Sequence, residues 1–455
     1  MNKLQEFESQ CNFDAFKYNG ENIWPILRYK LGMKLMVQQN SSEEINKKKK
    51  RTTNIKFALS FFINLIHLFK LFSKYDYVYF TAQDDYRVID EVRFNRFTHY
   101  LSKKLYKNRI LEIQSGFILE KESNIENITY VSSNVLSIIA FVLSKFLRIR
   151  DIEVMKKELS KHQINLELES IIKYYLAQKK IYTFLFKNIK PKQIFFTCYT
   201  LNNEIKCAND LNIDSVEFQH AKLVNHFGYD LRRYVNPLFY PKHLCSFGDF
   251  EKEYLKDKYY LTDVSSVYPI GNFMIHLNNK RDNKVILKLK DDFKIIICVS
   301  LQWTIFNETL EFVNKIAREN TNICFILMPR SKSDLAKLNI NLDNVKVFED
   351  INTYEVIKNS DIHLTCYSSC AFEAPSLGVP NIFWNYNSLS VIYYEEYINK
   401  YEFNSMINKS EDIENTLLKL LALKKETIIE KNKYYNVKNY HEKFDFFFDK
   451  LTNKN

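Results

Sequence analysis

The chain has 455 residues, too many for one compact core and natural for two domains of roughly 200 residues. Hydrophobic residues at 46% and charged residues at 26% exclude a disordered chain, and only seven glycines and eight prolines leave most of it to regular elements. The net charge of +11 admits nucleic acid, an anionic membrane face or phosphorylated ligands, but no zinc-finger, basic leucine-zipper or RNA-recognition pattern is present, so nucleic acid is not an expected partner.

The first 75 residues read as a helical, basic extension that packs on the first domain. Lys47–Arg51 is an isolated basic run, either a solvated loop or a membrane-surface contact. No signal peptide is expected from MNKLQEFESQ, which lacks an apolar core. Phe57–Phe72 is apolar over 16 residues, about 24 Å as a helix and short of a hydrocarbon core of about 30 Å. Its Ser60, Asn64, His67 and Lys70 fall on one stripe, and Val135–Ile149 repeats the pattern with Ser137, Ser144, Lys145 and Arg148. Both are amphipathic helices rather than spans, to be buried in the core or laid on a membrane.

From residue 76, strands alternate with helices, which predicts parallel sheets covered by helices. First-half strands are expected at Tyr77–Thr81, Ile110–Ile113, Ile128–Ser132, Ile194–Cys198, Ser215–Phe218 and His243–Phe247, with helices over 152–187 and 203–211. Val267–Asn272 reads as a domain boundary. A second alternation follows, with strands at Lys294–Ser300, Ile323–Met328, Val345–Phe348, Ile362–Cys366 and Asn381–Trp384, and helices over 308–320, 353–359, 369–377 and 389–399. The expected fold class is α/β, with two doubly wound Rossmann-like domains, 76–270 and 271–430, facing across a cleft. A helix in 431–455 is expected to cross back to the first domain. The eight cysteines are scattered without a C-x2-C pair, as in a reduced, cytoplasmic protein. The chain has no G-x-G-x-x-G and no P-loop pattern.

The strongest chemical signal is DIHLTCYSSCAFEAPSLGVPNIF, Asp361–Phe383. A buried strand runs into Tyr367, Ser368 and Ser369, and a helix follows. Hydroxyls and backbone N–H groups at a helix start suit a phosphate, unless the serines only cap the helix. Glu373, one turn on, could accept from ribose hydroxyls or a base amine. Pro375 should kink or shorten the helix.

Strand, T-x-Y-S-S, x3-E-A and G-x-P-x-I-F together resemble the nucleotide-binding half of GT-B glycosyltransferases, above all capsule and lipopolysaccharide transferases, including those using CMP-activated sugars, and the related CDP-glycerol polyol-phosphate transferases. The resemblance implies that Ser368 and Ser369 hold donor phosphate, with Glu373 near the ribose or base. It also implies a His-Pro pair after an earlier strand. Here Met328 and Pro329 stand there, and Arg330 could replace the histidine as phosphate partner. Gln302, in the loop after the first strand of this domain, is placed at the nucleotide. In the first domain VEFQHAKLVNHFGY is similar to the E-x-Q-H-G stretch of the same families, with Ala221 for glycine. It implies His220 as catalytic base, with His226 and Tyr229 at the acceptor. Gly248 in FYPKHLCSFGDF is a structural element of the fold. Asp84 and Asp85, after the first strand, are alternative bases, and Arg87 could hold an anionic acceptor; a solvated loop is the competing reading.

The implied function is transfer of a sugar from a nucleotide-sugar donor to a lipid-linked or polysaccharide acceptor of a bacterial surface polymer. Inversion is expected, since no Glu-x7-Glu pair follows Glu373, and no metal or other cofactor is expected, since there is no Asp-x-Asp motif. A polyol-phosphate transferase and a non-catalytic subunit of a polysaccharide assembly complex remain open. The protein is placed in the cytoplasm, with an anionic membrane surface as a possible partner.

Overall fold

The computed structural model describes residues 2–40, 65–116, 119–197, 200–223, 236–256, 266–329, 332–336, 338, 340–349 and 351–452. The chain divides into two compact units, 1–246 with 252–268, and 247–251 with 269–455.

The first unit is built on a seven-stranded sheet: β1 Tyr77–Ala82, β2 Ile110–Ser115, β3 Ile128–Ser132, β4 Gln193–Phe196, β5 Asp214–Phe218, β6 His243–Ser246 and β7 Val267–Pro269. The strand order is β7-β6-β5-β4-β1-β2-β3, and the pairs from β6 to β3 run parallel. The order reverses between β1 and β4, so the carboxyl ends of these two strands flank the switch point where doubly wound folds bind ligands. β1, β2 and β4 are buried on both faces, which is why they read as continuous apolar runs.

Four helices matter for the site: α1 Asn2–Gln10, α2 Trp24–Asn40, α3 Ser133–Lys145 and α4 Leu168–Ile189. The long helical stretch expected over 152–187 is two helices, Glu153–Lys161 and α4. The N-terminal segment is part of this unit's core: Leu4, Phe7, Phe16, Trp24 and Leu27 pack with Ile172 and Tyr175 of α4 and with Phe239 and Leu244. Its polar groups are paired where they are buried. Arg28 meets Glu8 at 2.6 Å, Trp24 Nε1 donates to Glu8 Oε1 at 2.9 Å, and Glu21 receives Lys179 and Lys206 at 2.7 and 2.6 Å.

Over their described residues, the two amphipathic stretches leave large apolar side chains on the surface. Residues 57–64 lie outside the described residues; Leu65–Phe72 is a 3-10 helix. In it Leu71 is buried while Phe69 and Phe72 are 78% and 69% exposed. In α3, Val135, Leu136 and Ala140 are buried, but so is Ser144, whose hydroxyl donates to Phe141 O at 2.6 Å. Phe141, Val142 and Phe146 are exposed instead. No helix among the described residues is long and apolar enough to cross a membrane.

The second unit carries a six-stranded sheet, β8 Ile295–Ser300, β9 Ile323–Met328, β10 Val345–Val347, β11 Ile362–Thr365, β12 Asn381–Trp384 and β13 Asn404–Ile407. The order is β10-β9-β8-β11-β12-β13, parallel throughout, with its switch point between β8 and β11. The doubly wound α/β class expected of both domains is thus present. The C-terminal helix Tyr440–Thr452, expected to cross back, is part of this unit, where Tyr440 meets Phe273 at 5.3 Å between ring centroids. Gly248 lies against the backbone of Tyr434 and Tyr435 so closely that a Cβ would collide with it; the glycine is there for the approach.

Candidate functional site

In the first unit the site grows from the end of β1. The chain turns through Gln83–Asp85 into an antiparallel hairpin, Tyr86–Ile89 with Val92–Asn95. Buried Glu112 on β2 anchors the turn, accepting from Thr81 Oγ1 at 2.5 Å and Tyr86 OH at 2.7 Å. Burial, and then Glu122, push its carboxyl up to about 7.

This anchoring separates two adjacent aspartates. Asp84 is exposed, whereas Asp85 has no exposed surface. Asp85 Oδ2 accepts from Ala82 N at 2.8 Å and from Thr197 Oγ1, just past β4, at 2.6 Å. Its Oδ1 has no hydrogen-bond partner among the described residues and stands 3.8 Å from His220 Nδ1. The His220 side chain keeps 41% of its surface, yet the walls around the ring remove much of its water. That loss, and then the Arg96 guanidinium, hold its pKa below the ordinary imidazole value against the pull of Asp85. The ring lies 5.6 Å from Phe97, which Arg96 covers at 4.4 Å.

Of the two aspartates expected as alternative bases, Asp85 is the one brought near His220, and Asp84 is exposed. Arg87 folds back on its own backbone, donating to the carbonyls of Asp84 and Tyr86 at 2.6 and 2.7 Å. His226 and Tyr229 lie outside the described residues. Arg96 and Thr197 carried no sequence signal of their own, because each acts across a long stretch of chain.

In the second unit two loops meet at the switch point. Thr304, after β8, is hydrogen-bonded to Tyr367 OH, after β11. Beneath them Ser300 Oγ bonds His363 Nε2 at 2.8 Å, and His363 Nδ1 bonds Asn381 Oδ1 at 2.8 Å. The amide oxygen only accepts, so Nδ1 carries the proton and Nε2 accepts from the serine. Burial pulls the His363 pKa down to about 4.

The expected helix over 369–377 is shorter. An α-turn, Cys370–Glu373, passes into a 3-10 turn, Ala374–Leu377. Pro375 has no N–H for the carbonyl of Ala371, four residues back. Asn381 Nδ2 and Tyr397 OH satisfy that carbonyl instead, at 2.8 and 3.2 Å. Gly378, at φ 79°, closes the turn in the left-handed conformation that glycine permits.

The shortening corrects the expectation of a cluster of open N–H groups. Ser368 is a capping residue: its N–H donates to Thr365 Oγ1 and its Oγ accepts from Cys370 N at 3.2 Å. The N–H groups of Ala371 and Phe372 bond the carbonyls of Ser368 and Ser369. Ser369 makes no side-chain capping bond and is half-buried. Glu373 Oε1 accepts from Asn272 Nδ2 at 3.1 Å and Tyr354 OH at 2.9 Å. Gln302 is buried at the head of the turn Trp303–Ile305, with Trp303 54% exposed beside it. Met328 ends β9 as a buried side chain, and Arg330 lies outside the described residues. No three His, Cys, Asp or Glu side chains converge as metal ligands do among the described residues.

No protein-family model matches the chain, and no curated protein matches it in sequence. Solved structures similar to it include the UDP-GlcNAc 2-epimerase of Methanocaldococcus jannaschii in complex with UDP-GlcNAc and UDP, 15% identical, covering 83% of this chain and 99% of that one at a TM-score of 0.47. A wall teichoic acid polymerase is 12% identical, with 94% and 99% covered at 0.48. The calicheamicin glycosyltransferase is 10% identical, with 83% and 100% covered at 0.49. Identities and scores of this size establish neither a family nor an activity.

Proposed function

We propose that the protein is a nucleotide-sugar-dependent, inverting glycosyltransferase of bacterial surface polysaccharide assembly. The observation that supports this best is the buried Asp85 carboxylate, whose Oδ2 is pinned and whose Oδ1 stands 3.8 Å from Nδ1 of a partly exposed His220. The reading requires the ring, which also bonds the Thr197 backbone, to turn Nδ1 onto Asp85 when substrate binds. Nδ1–H then faces Asp85 and Nε2 keeps its lone pair for a substrate proton.

In the reaction, Nε2 takes the proton of an acceptor hydroxyl. The acceptor oxygen bonds to the anomeric carbon as the bond from that carbon to the donor phosphate breaks, and the phosphate oxygen leaves with the electron pair. Asp85 stabilises the imidazolium that forms. In the second unit, Ser369 is assigned to the donor phosphate, where its hydroxyl and N–H meet the developing charge without a metal, and Gln302 and Trp303 to the nucleotide. The exposed Phe69, Phe72, Phe141 and Phe146 beside Lys70, Lys145 and Arg148 support a seat on the anionic inner face of the cytoplasmic membrane.

The test is a thermal-shift screen of nucleoside mono- and diphosphates, followed by sugar transfer from the matching donor. Stabilisation by one nucleotide and loss of transfer in His220→Ala are expected. A folded protein that no nucleotide stabilises, or full turnover in that variant, refutes the assignment.

A further inference from the structure

The first unit holds a cavity of about 360 Å³, within the range of small-molecule pockets, about 300–1,000 Å³. It opens at the carboxyl ends of β1, β2 and β4, the switch point of this sheet, and is walled by α3, α4 and α2 of the N-terminal segment.

Its chemistry is distinctive. Among the lining residues only Lys30 and Glu204 carry charge. Glu204 is 6% exposed and hydrogen-bonded to Tyr182, while Lys30, exposed at the mouth, attracts it electrostatically. Lys30, the one cation among the described lining residues, stands exposed at the mouth, so the interior offers an anion no fixed positive charge, and the partly neutral Glu204 offers a cation no full counter-charge. Asn203, 5% exposed, donates to Tyr175 O and Gln178 Oε1, and its own Oδ1 has no partner among the described residues. The remaining wall is rich in serine, threonine and tyrosine hydroxyls, with the rings of Tyr29, Tyr174 and Tyr175 between them. Aromatic faces interleaved with hydroxyls, amides and one carboxyl match the alternating C–H faces and hydroxyl edges of a sugar ring. Burial pushes the Glu204 carboxyl up to about 7, so near neutrality it can both donate to and accept from sugar hydroxyls.

The cavity also shares a wall with the His220 site. Thr197 and Ala82 line it, and the Thr197 hydroxyl and the Ala82 N–H are the two donors that hold Asp85 Oδ2.

We propose that this cavity is a subsite for an uncharged glycosyl ring of the acceptor, with Glu204 and Asn203 bonding its hydroxyls and α2 as its outer wall. It deepens, and rests on, the glycosyltransferase assignment above. It also gives the N-terminal segment a part in recognition, since Ile26, Tyr29 and Lys30 complete the pocket.

Saturation-transfer NMR on the intact protein, with a panel of neutral methyl glycosides, glucuronic acid and inorganic phosphate as probes, tests this directly. Transfer to at least one neutral glycoside is expected, weakened about tenfold in Glu204→Leu, which keeps the bulk and removes both oxygens, the scale of a lost hydrogen bond. Tyr29→Ala, at the half-buried rim, should weaken the same probe without threatening the core, which guards against a Glu204 variant that fails to fold. Nucleotide stabilisation should be untouched in both. Binding of glucuronic acid or phosphate alone, no glycoside binding, or glycoside binding indifferent to both substitutions overturns the subsite while leaving His220-dependent transfer standing. Glycoside binding that responds to both, in a protein that no nucleotide stabilises, upholds the sugar site and overturns glycosyl transfer.

Discussion

The two units share a strand order and differ in how they bury polar groups. The first keeps ionisable side chains inside: Asp85, Glu112, Glu122 and Glu204 are all nearly or fully buried. The second holds one fully buried carboxyl, Glu251, and otherwise uses amides. Asn381, Asn404 and Asn432 form a ladder that bonds the carbonyls of Ala371, Phe372 and Tyr397, and its buried His363 stays neutral between Ser300 and Asn381. Amides and neutral imidazole hold a backbone in place without a change of charge. Buried carboxyls cost more to keep, and their presence near a switch point fits a unit that moves protons. The comparison is in keeping with the proposal above, in which the first unit does the chemistry and the second holds the donor.

The sharpest way to break that division is His220→Ala. Turnover should fall about 10²–10⁴-fold, the contribution of a positioned base, while nucleotide affinity, read by calorimetry, stays the same. Asp85→Asn should lower turnover in the same direction by less, and Asp84→Asn should leave it alone. An Asp84 effect equal to that of His220 would move the base to the exposed carboxylate.

The units should next respond to pH with opposite signs. Glu112 and Glu204 rise from 4.5 to about 7, so between those values the native state binds protons that the unfolded chain has lost. Stability of the first unit therefore falls as pH rises through that window, on the order of 3 kcal/mol per carboxyl. His363 falls from 6.5 to about 4; there the unfolded chain binds the extra proton, so the second unit gains stability as pH rises across that range and loses it as pH falls. Hydrogen exchange on the whole protein, corrected for intrinsic rates, reads both at once in peptides over β2 and over β11. Glu112→Gln should flatten the first trend and leave the second. Parallel trends would mean that the buried carboxyls do not set the first unit's stability.

Two serines sharpen the grip of the second unit. Ser368→Ala should cost about 0.5–2 kcal/mol of stability, the scale of a lost cap, with nucleotide affinity nearly unchanged. Ser369→Ala should do the reverse, weakening nucleotide binding by about 1–3 kcal/mol in a protein that melts normally. If the two effects trade places, Ser368 is the phosphate ligand. Gly248→Ala should destabilise by about 1–3 kcal/mol by overpacking, checked by denaturant melts, with kcat unmoved.

The smallest effect concerns the surface of the first unit. Phe69→Ser with Phe146→Ser should release the protein from anionic vesicles in flotation at low salt, where Lys70, Lys145 and Arg148 act over the longest range. Unchanged flotation would place the contact elsewhere.

Much of this architecture was readable along the chain. The two alternations and most strand positions followed from apolar runs, because parallel strands buried on both faces carry little else. β13 was missed since Asn404-Ser405-Met406-Ile407, an edge strand, is half polar and makes no continuous apolar run. The hairpin after β1 was missed because its arginines made it read as a solvated loop. Pro375 announced a broken helix.

Sequence alone thus determined the fold class, because periodicity and turn residues are local properties. Tertiary structure decided which atoms are available. Asp84 and Asp85 are chemically identical neighbours, and only the approach of Thr197, more than a hundred residues on, buries one and aims it at His220. The same holds for Ser368 and Ser369, and for a cavity whose walls come from residue 26 to residue 204. Burial and partnership arise from contacts between distant segments, and no local pattern encodes them.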